Sequence, residues 1–117
     1  TGLTNRELSA PSLAETITQA LGREPLIVGP TDRPIRRVAW CTGAAQDYLE
    51  EAAACGVDAY LSGEISERTT HVAREVGIPY FACGHHATER FGVKALGRKL
   101  TEHFGIETTY IEIDNPV

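Results

Sequence analysis

The spacing of apolar residues changes repeatedly along the chain and predicts strands that alternate with helices. Short apolar runs predict strands at Pro25–Val28, Ile35–Trp40, Asp58–Leu61 and Pro79–Ala82. Helical spacing is found in the segments 12–22, 44–55, 66–76 and 85–104, and Gly follows the apolar pattern at the end of each. Ser12 and Glu15 have the spacing of a capping box at the start of the first helix, and residues 1–11 are predicted to be irregular.

This order of elements is typical of βαβ units. Strands joined by helices of about 10–15 residues form a mainly parallel sheet with right-handed crossovers. Polar and apolar residues alternate through Thr108–Ile113, which favours a last strand at the sheet edge, where it can be antiparallel. The prediction is therefore a single α/β domain over residues 1–117, with a mainly parallel sheet flanked by helices.

Composition narrows the classes of function. The 117 residues carry a net charge of −5 and a pI of about 5.3, which argues against direct binding of nucleic acid. No apolar run approaches the ~18 residues of a membrane span. Three widely spaced cysteines, Cys41, Cys55 and Cys83, suit reduced thiols in a cytoplasmic protein, and we expect the last two to be buried. The chain contains no methionine, so we expect it to be a portion of a longer protein.

Three predicted strands end in a small or polar residue and a glycine, in the junctions CTG, SGE and CGH. Ligands of parallel α/β sheets bind beside the carboxyl ends of the strands, and glycine permits close approach of the backbone there. Glycine also begins many βα loops without any binding role. Because two of the junctions add an ionisable residue, we predict that the following residues share one cleft: Thr42, Gly43, Glu64, Gly84 and His85.

The last helix begins with polar residues on its apolar side. His85 and Glu89 continue a stripe that we expect to be buried in the core, formed by Val93, Leu96, Leu100 and Phe104. A histidine and a carboxylate one turn apart can ligate one metal ion. A core hydrogen bond between the two side chains would equally satisfy them, so both interpretations stay open. His86 lies at the edge of the stripe, where it either lines the cleft or faces solvent.

The segment from Val38 to Leu100, and above all the stretch GHHATERFG, resembles the C-terminal part of the NIF-three-like family. These proteins are also called YbgI-type dinuclear metal centre proteins or GTP cyclohydrolase I type 2 homologs. The resemblance implies that His85 and Glu89 ligate a pair of divalent metal ions. Zinc, iron, manganese and nickel all suit such mixed nitrogen and oxygen ligands. It also implies that Glu64 lies near the metals, where it orients a ligand or transfers a proton.

The resemblance has one large departure. Family members carry an N-terminal half with a His pair and an Asp that complete the site, and these 117 residues contain no such segment. Two protein ligands are too few for a stable centre, so we expect the missing N-terminal half, in a homohexameric parent, to supply the others. The implied function is a metal-dependent hydrolase acting on a purine nucleotide such as GTP. Its substrate-cleft candidates are Thr42, Gly43, Gly84 and His86. The alternative is a non-catalytic metal-binding scaffold that assembles as a ring.

Overall fold

A computed structural model describes residues 1–117 and contains one sheet of five strands. In chain order the strands are β1 (Gly2–Leu8), β2 (Leu26–Val28), β3 (Ile35–Cys41), β4 (Ala59–Ser62) and β5 (Tyr80–Ala82). The helices are α1 (Ala10–Leu21), α2 (Leu49–Ala54, after a 3₁₀ turn at Gln46–Tyr48), α3 (Glu67–Val76) and α4 (His85–Phe104). None of the helices is long and apolar enough to cross a membrane.

The sheet has the strand order β1-β3-β4-β5-β2. The three central strands are parallel, with Trp40 beside Leu61 and Leu61 beside Phe81, whereas both edge strands are antiparallel to their neighbours. Crossover helices connect the parallel strands, as βαβ units require. The predicted α/β class with helices flanking the sheet is confirmed, and the carboxyl ends of β3, β4 and β5 lie together.

Two hydrophobic clusters cover the two faces of the sheet. Tyr60 and Tyr80 point to one face, where they pack with α2 and α3. Ala59 and Phe81, one position away on the same strands, point to the other face and pack with α1. The alternation follows from the twofold side-chain period of a strand. Burial on both faces explains why these central strands are almost wholly apolar in sequence.

The first helix begins earlier than predicted. Ser9 is the N-cap residue and its hydroxyl accepts a hydrogen bond from the backbone N–H of Ser12, at 3.3 Å. Pro11 lies in the first turn, where its missing N–H costs no hydrogen bond. The predicted capping box of Ser12 and Glu15 is therefore wrong, since both residues lie inside the helix.

Both termini differ from the prediction. Residues 2–8, expected to be irregular, form strand β1, in which Gly2 lies beside Val38 and Leu8 beside Ile35. Residues 108–113, expected to form a strand, have no neighbouring strand and no regular secondary structure. In both cases the presence or absence of a pairing partner, rather than the local pattern, decides the outcome.

The apolar stripe of α4 is exposed rather than buried, so that prediction is wrong. Val93 is 60% exposed, Leu96 59% and Phe104 68%, and Ala87 is the only buried residue of the helix. Leu100, the remaining residue of the stripe, is half-buried. Cys55 is also exposed, although Cys83 is buried as predicted.

Residues 91–117 form a projection that we call the arm. It contains α4 beyond its first two turns and the extended tail, residues 105–117, which runs back along the helix. The hydroxyl groups of Thr108 and Thr101 are hydrogen-bonded, with 3.0 Å between their Oγ1 atoms. The Lys94 ammonium lies 4.2 Å from the centroid of the Tyr110 ring. Glu112 binds His86, Arg90 and Lys94. The rest of the chain, a sheet with α1, α2 and α3, is the body.

Candidate metal centre

The three glycine junctions lie side by side at the carboxyl ends of the central strands. The Gly84 N–H donates to the Gly63 carbonyl at 2.9 Å, and the Gly63 N–H donates to the Gly43 carbonyl at 2.9 Å. A Cβ on Gly63 would lie 2.7 Å from the Gly43 oxygen and 2.8 Å from the His85 Cα. The close approach of the three loops therefore requires glycine at this position.

Buried hydroxyl groups fix the loop after β3. The Ser62 hydroxyl donates to the Gly43 carbonyl at 3.1 Å and accepts from the Ala45 N–H at 3.2 Å. The Tyr60 hydroxyl donates to the Ala45 carbonyl at 2.8 Å, and burial raises the pKa of Tyr60 to about 12. Because these backbone groups are satisfied inside the protein, the loop is held in one position beside α4.

His85 lies between two carboxylates at the carboxyl ends of the central strands, an edge of the sheet that we call the rim. Its Nδ1 is 2.6 Å from Glu64 Oε1, and its Nε2 is 3.0 Å from Glu89 Oε2. The side chain of His85 is 39% exposed, that of Glu64 36% and that of Glu89 51%. The group is therefore open to solvent on one side, unlike a buried structural pair.

The two carboxylates raise the pKa of His85 above its ordinary value. The hydrogen bond that His85 donates to Glu64 is the main cause, and the charge of Glu89 adds to it. The proton on Nδ1 is hydrogen-bonded to Glu64. The other ring nitrogen, Nε2, faces Glu89. This carboxylate–histidine arrangement is the one that orients histidine ligands in metal sites.

Each carboxylate is positioned in turn. The Tyr80 hydroxyl donates to the Glu64 carbonyl oxygen, which fixes the backbone that carries Glu64. Glu89 lies directly over Gly43, whose φ is +66°, and a Cβ on Gly43 would collide with Glu89 Oε1. The Thr88 hydroxyl accepts from the Gly43 N–H at 3.1 Å and ties the loop to α4. Tyr80 and Thr88 could not be found from sequence, because a Tyr in a strand and a Thr in a helix give no sign of their distant partners.

The other predicted cleft residues lie around this group without joining it. Thr42 lines an apolar cavity of about 330 Å³ between α1 and α4, together with Trp40 and Phe91. Gly84, with a φ of +96°, lies against the Arg23 side chain. His86 Nε2 binds Glu112 Oε1 at 2.7 Å, so it holds the tail.

The donors present fit part of a metal centre. His85 Nε2 and the Glu89 carboxylate converge on one side, but no group of three His, Cys, Asp or Glu side chains in the chain is arranged to hold an ion. A cavity of about 780 Å³ extends from Glu64, His85 and Glu89 along the arm to Ile113. Space for further ligands therefore exists on the open side.

Comparison with known proteins gives consistent matches. The family model Duf34/NIF3 (NGG1p interacting factor 3) matches residues 1–116. A "GTP cyclohydrolase 1 type 2 homolog" of Allochromatium vinosum is 56% identical over 109 residues, which are 93% of this chain and 43% of that protein. A protein of the same name from Vibrio cholerae is 56% identical over 112 residues, covering 94% of this chain and 44% of the relative.

Solved structures agree with these matches. The structure of "protein ybgI, unknown function" superimposes with a TM-score of 0.91 at 44% identity and covers 99% of this chain and 47% of its own. A protein of Thermus thermophilus, at 24% identity and a TM-score of 0.83, shares the fold and covers 96% of this chain and 45% of its own. The chain spans less than half the length of the curated relatives that it matches. On these grounds the chain belongs to the Duf34/NIF3 family.

Proposed function

We propose that His85 and Glu89 are two ligands of a divalent metal centre in a hydrolase, and that the other ligands come from outside these 117 residues. The observation that carries the proposal is the position of the His85 ring between Glu64 and Glu89 at the solvent-open rim of the sheet. Glu89 has no other hydrogen-bond partner than His85. An imidazole and a carboxylate that converge in this way are a common partial ligand set for zinc or iron.

The alternative of a structural His–Glu hydrogen bond explains less of the geometry. Surface ion pairs contribute little to stability, with a typical magnitude of about 0–1 kcal/mol. Here two other residues support the pair: the Tyr80 hydroxyl donates to the backbone carbonyl of Glu64, and Gly43 leaves room for the Glu89 side chain. Such support of exposed polar side chains is expected where their positions matter for binding.

The residues of the chain would have separate roles. Glu64 would keep the proton of His85 on Nδ1 and fix the ring orientation, so that Nε2 is available as a donor. Glu89 would donate through its carboxylate, with Gly43 limiting its position. A bound divalent ion lowers the pKa of its water towards ~7 and polarises a substrate oxygen. Glu64, the second base at the site, is our candidate for accepting a proton during hydrolysis.

The proposed substrate is a purine nucleotide such as GTP, opened hydrolytically with release of formate. The proposal is supported by the name of the curated relatives, "GTP cyclohydrolase 1 type 2 homolog", and by the position of the cavity. The cavity reaches the first turn of α4, where His85 and His86 lie. The N-terminus of a helix attracts anionic groups, which suits the phosphates of a nucleotide.

The test uses the full-length Allochromatium vinosum relative, loaded with zinc, iron or manganese and incubated with GTP. Formate release that disappears when the residue equivalent to His85 is changed to Ala would support the proposal. The residue equivalent to Glu67, whose side chain makes no hydrogen bond or ion pair in the chain, is the control position, and changing it to Gln should leave the rate unchanged. Absence of turnover in fully metal-loaded protein would contradict the cyclohydrolase reaction.

A second candidate is a metal-binding scaffold without turnover, assembling as a homohexameric ring. The exposed apolar arm favours it, because large exposed apolar surfaces mark interaction sites. The family description, an interacting factor, points the same way. A partner that is captured equally by the full-length relative and by its His85→Ala equivalent, together with absence of GTP turnover, would support this function over the first.

A further inference from the structure

We propose that the apolar cavity between α1 and α4 binds the purine ring of a nucleotide, through stacking contacts with Trp40 and Phe91 that do not depend on the hydrogen-bonding edge of the base. This inference rests on the proposed function, because it gives the base of the proposed substrate a place in the chain. It also adds a selectivity, since the cavity accepts a flat ring rather than guanine alone. The position of the cavity, its walls, its volume and its hydrogen-bonding groups lead to it.

The cavity and the candidate metal centre are formed by the same strand ends. Thr42, Ser62 and Cys83 line the cavity, and residues that form or contact the metal centre follow each of them by one or two positions. On α4, Thr88 lines the cavity and Glu89 follows it directly. The proposed hydrolysis opens a ring of the base, so the base has to lie beside the metal ion and its bound water. This cavity adjoins the candidate ligands and meets that requirement.

The walls of the cavity carry two exposed aromatic side chains. Trp40 of β3 is 56% exposed and Phe91 of α4 is 47% exposed, while the buried side chains of Leu13 and Ile17 form the inner wall on α1. Trp40 packs against β1, because a Cβ on Gly2 would lie 3.1 Å from two carbon atoms of its six-membered ring. Aromatic side chains that are positioned and exposed in this way are the surface on which nucleic-acid bases stack.

The volume of the cavity suits a base rather than a whole nucleotide. At about 330 Å³ it is at the lower end of the range of small-molecule pockets, which is roughly 300–1,000 Å³. The larger cavity along the arm reaches His85 and His86 at the first turn of α4, where the proposed function places the phosphates. Neighbouring residues of α4, Thr88 and Glu89, line the two cavities. We therefore expect the base and the phosphates of one nucleotide to lie on the two sides of the candidate metal centre.

The cavity has few groups that distinguish one base from another. Three of its four hydroxyl groups are already hydrogen-bonded, those of Ser62 and Thr88 to the loop after β3 and that of Thr16 to the backbone of its own helix. Only the Thr42 hydroxyl makes no hydrogen bond within the chain. One neutral hydrogen bond changes an affinity by up to about 10-fold. We therefore expect GMP and AMP to bind with affinities within about 10-fold of each other.

The first test uses Trp40, the only tryptophan of the chain, as a fluorescent probe of the cavity. The metal-free 117-residue chain is titrated with GMP, AMP and ribose 5-phosphate, and N-acetyltryptophanamide is titrated in parallel to correct for collisional quenching. Both nucleotides should quench Trp40 saturably, with dissociation constants within about 10-fold of each other, and ribose 5-phosphate should not.

Three results of this titration would overturn the proposal. They are the absence of saturable quenching by GMP, equal quenching by ribose 5-phosphate, and saturation by hexanol but not by either nucleotide, which would indicate a site for an aliphatic chain. A larger preference for one base would overturn the selectivity that we infer. Because neither metal nor turnover is involved, these results are independent of formate release by the full-length relative, which tests the proposed function.

The second test compares two exposed phenylalanines of α4. Phe91→Leu should weaken GMP binding at least ~5-fold, because it keeps an apolar side chain but removes the ring on which the base stacks, whereas Phe91→Tyr should retain the affinity. Phe104→Leu is the matched control, since Phe104 is 68% exposed and lies outside the cavity, and it should leave GMP binding unchanged. An unchanged affinity in Phe91→Leu, or an equal loss in Phe104→Leu, would overturn the proposal.

Discussion

The body and the arm of this chain are built from similarly apolar sequence but differ in what surrounds it. In the body, Tyr80 and Phe81 are completely buried between helices on the two faces of the sheet. In the arm, Leu96 and Ile113 are mostly exposed although their spacing is equally regular. The hydrophobic pattern is thus similar in the two regions, whereas burial depends on whether another element of the chain packs against it.

The candidate metal centre lies at the junction of these two regions. Glu64 belongs to the body, since it follows β4, while His85 and Glu89 begin the helix that leads into the arm. The exposed face of the arm and these three side chains therefore line one continuous cavity. In this position the body is packed on both faces of its sheet, while no three His, Cys, Asp or Glu side chains are arranged to hold an ion.

The largest expected effect distinguishes the packing of the two regions. Phe81→Ala should lower the free energy of unfolding of the chain by about 3–5 kcal/mol, because a buried aromatic side chain is lost. Leu96→Ala, in the exposed stripe, should change it by no more than about 0.5 kcal/mol. Urea denaturation of both variants measures the difference. Similar losses at the two positions would show that the arm packs within the chain.

A glycine substitution tests how the body positions Glu89. Gly43→Ala should cost about 1–2 kcal/mol because of its positive φ, and should also displace the Glu89 carboxylate. Gly56→Ala is the matched control, since Gly56 has a φ of +71° and no neighbouring atom within 4 Å of a Cβ. Both variants should lose similar stability in urea. Only Gly43→Ala should change the NMR signals of the His85 ring, and an equal change in both would contradict the described contact.

The tail should be released from α4 without unfolding the body. Glu112→Gln removes the charge that binds His86, Arg90 and Lys94, so tail residues should become more susceptible to proteolysis while the melting temperature is unchanged. These contacts lower the pKa of Glu112 to about 2, mainly through His86. The interaction is accordingly complete above the ordinary pKa of about 4.5 and is lost as the pH falls towards 2. Glu107→Gln, in the same tail, is the control and should leave the proteolysis rate unchanged.

The smallest expected effect concerns the histidine at the junction. Glu64→Gln should lower the pKa of His85, because the hydrogen bond that His85 donates to the Glu64 carboxylate is the main cause of the raised pKa. The raised pKa stabilises the folded chain at pH values below about 6.5, and this contribution disappears as the pH rises through the folded-state pKa. An NMR titration of the imidazole signals measures the shift. An unchanged pKa in Glu64→Gln, or an equal decrease in the control Glu67→Gln, would contradict the described pair.

The central elements of the fold follow from local sequence. The apolar runs that form β3, β4 and β5 and the helical spacing of α3 match contacts that these elements make inside the chain. The edge strand β1 could not be predicted, because its sequence contains no apolar run. The structure shows why: none of its residues is buried, and Leu3 is 71% exposed. Its pairing with β3 depends on a segment that is distant in sequence. The prediction for the tail was wrong in the opposite direction: residues 108–113 have the pattern of a strand but no neighbouring strand to pair with.

Residue type and spacing predicted which residues form the candidate site, but not how their side chains are arranged. The single turn between His85 and Glu89 places them on one helix face, and the SGE junction places Glu64 at the same end of the sheet. That Nδ1 faces Glu64 and Nε2 faces Glu89 depends on the approach of three loops, which no local pattern encodes. The same is true of His86, which was a cleft candidate in sequence and binds Glu112 of the tail.

The most direct test of the central claim is metal binding measured in parallel on the 117-residue chain and on the full-length Allochromatium vinosum relative. We expect weak zinc binding to the chain alone, tight binding to the relative, and loss of that tight binding when the residue equivalent to Glu89 is changed to Ala. Tight binding to the relative that is unaffected by this substitution would show that the ion lies elsewhere and would contradict the account.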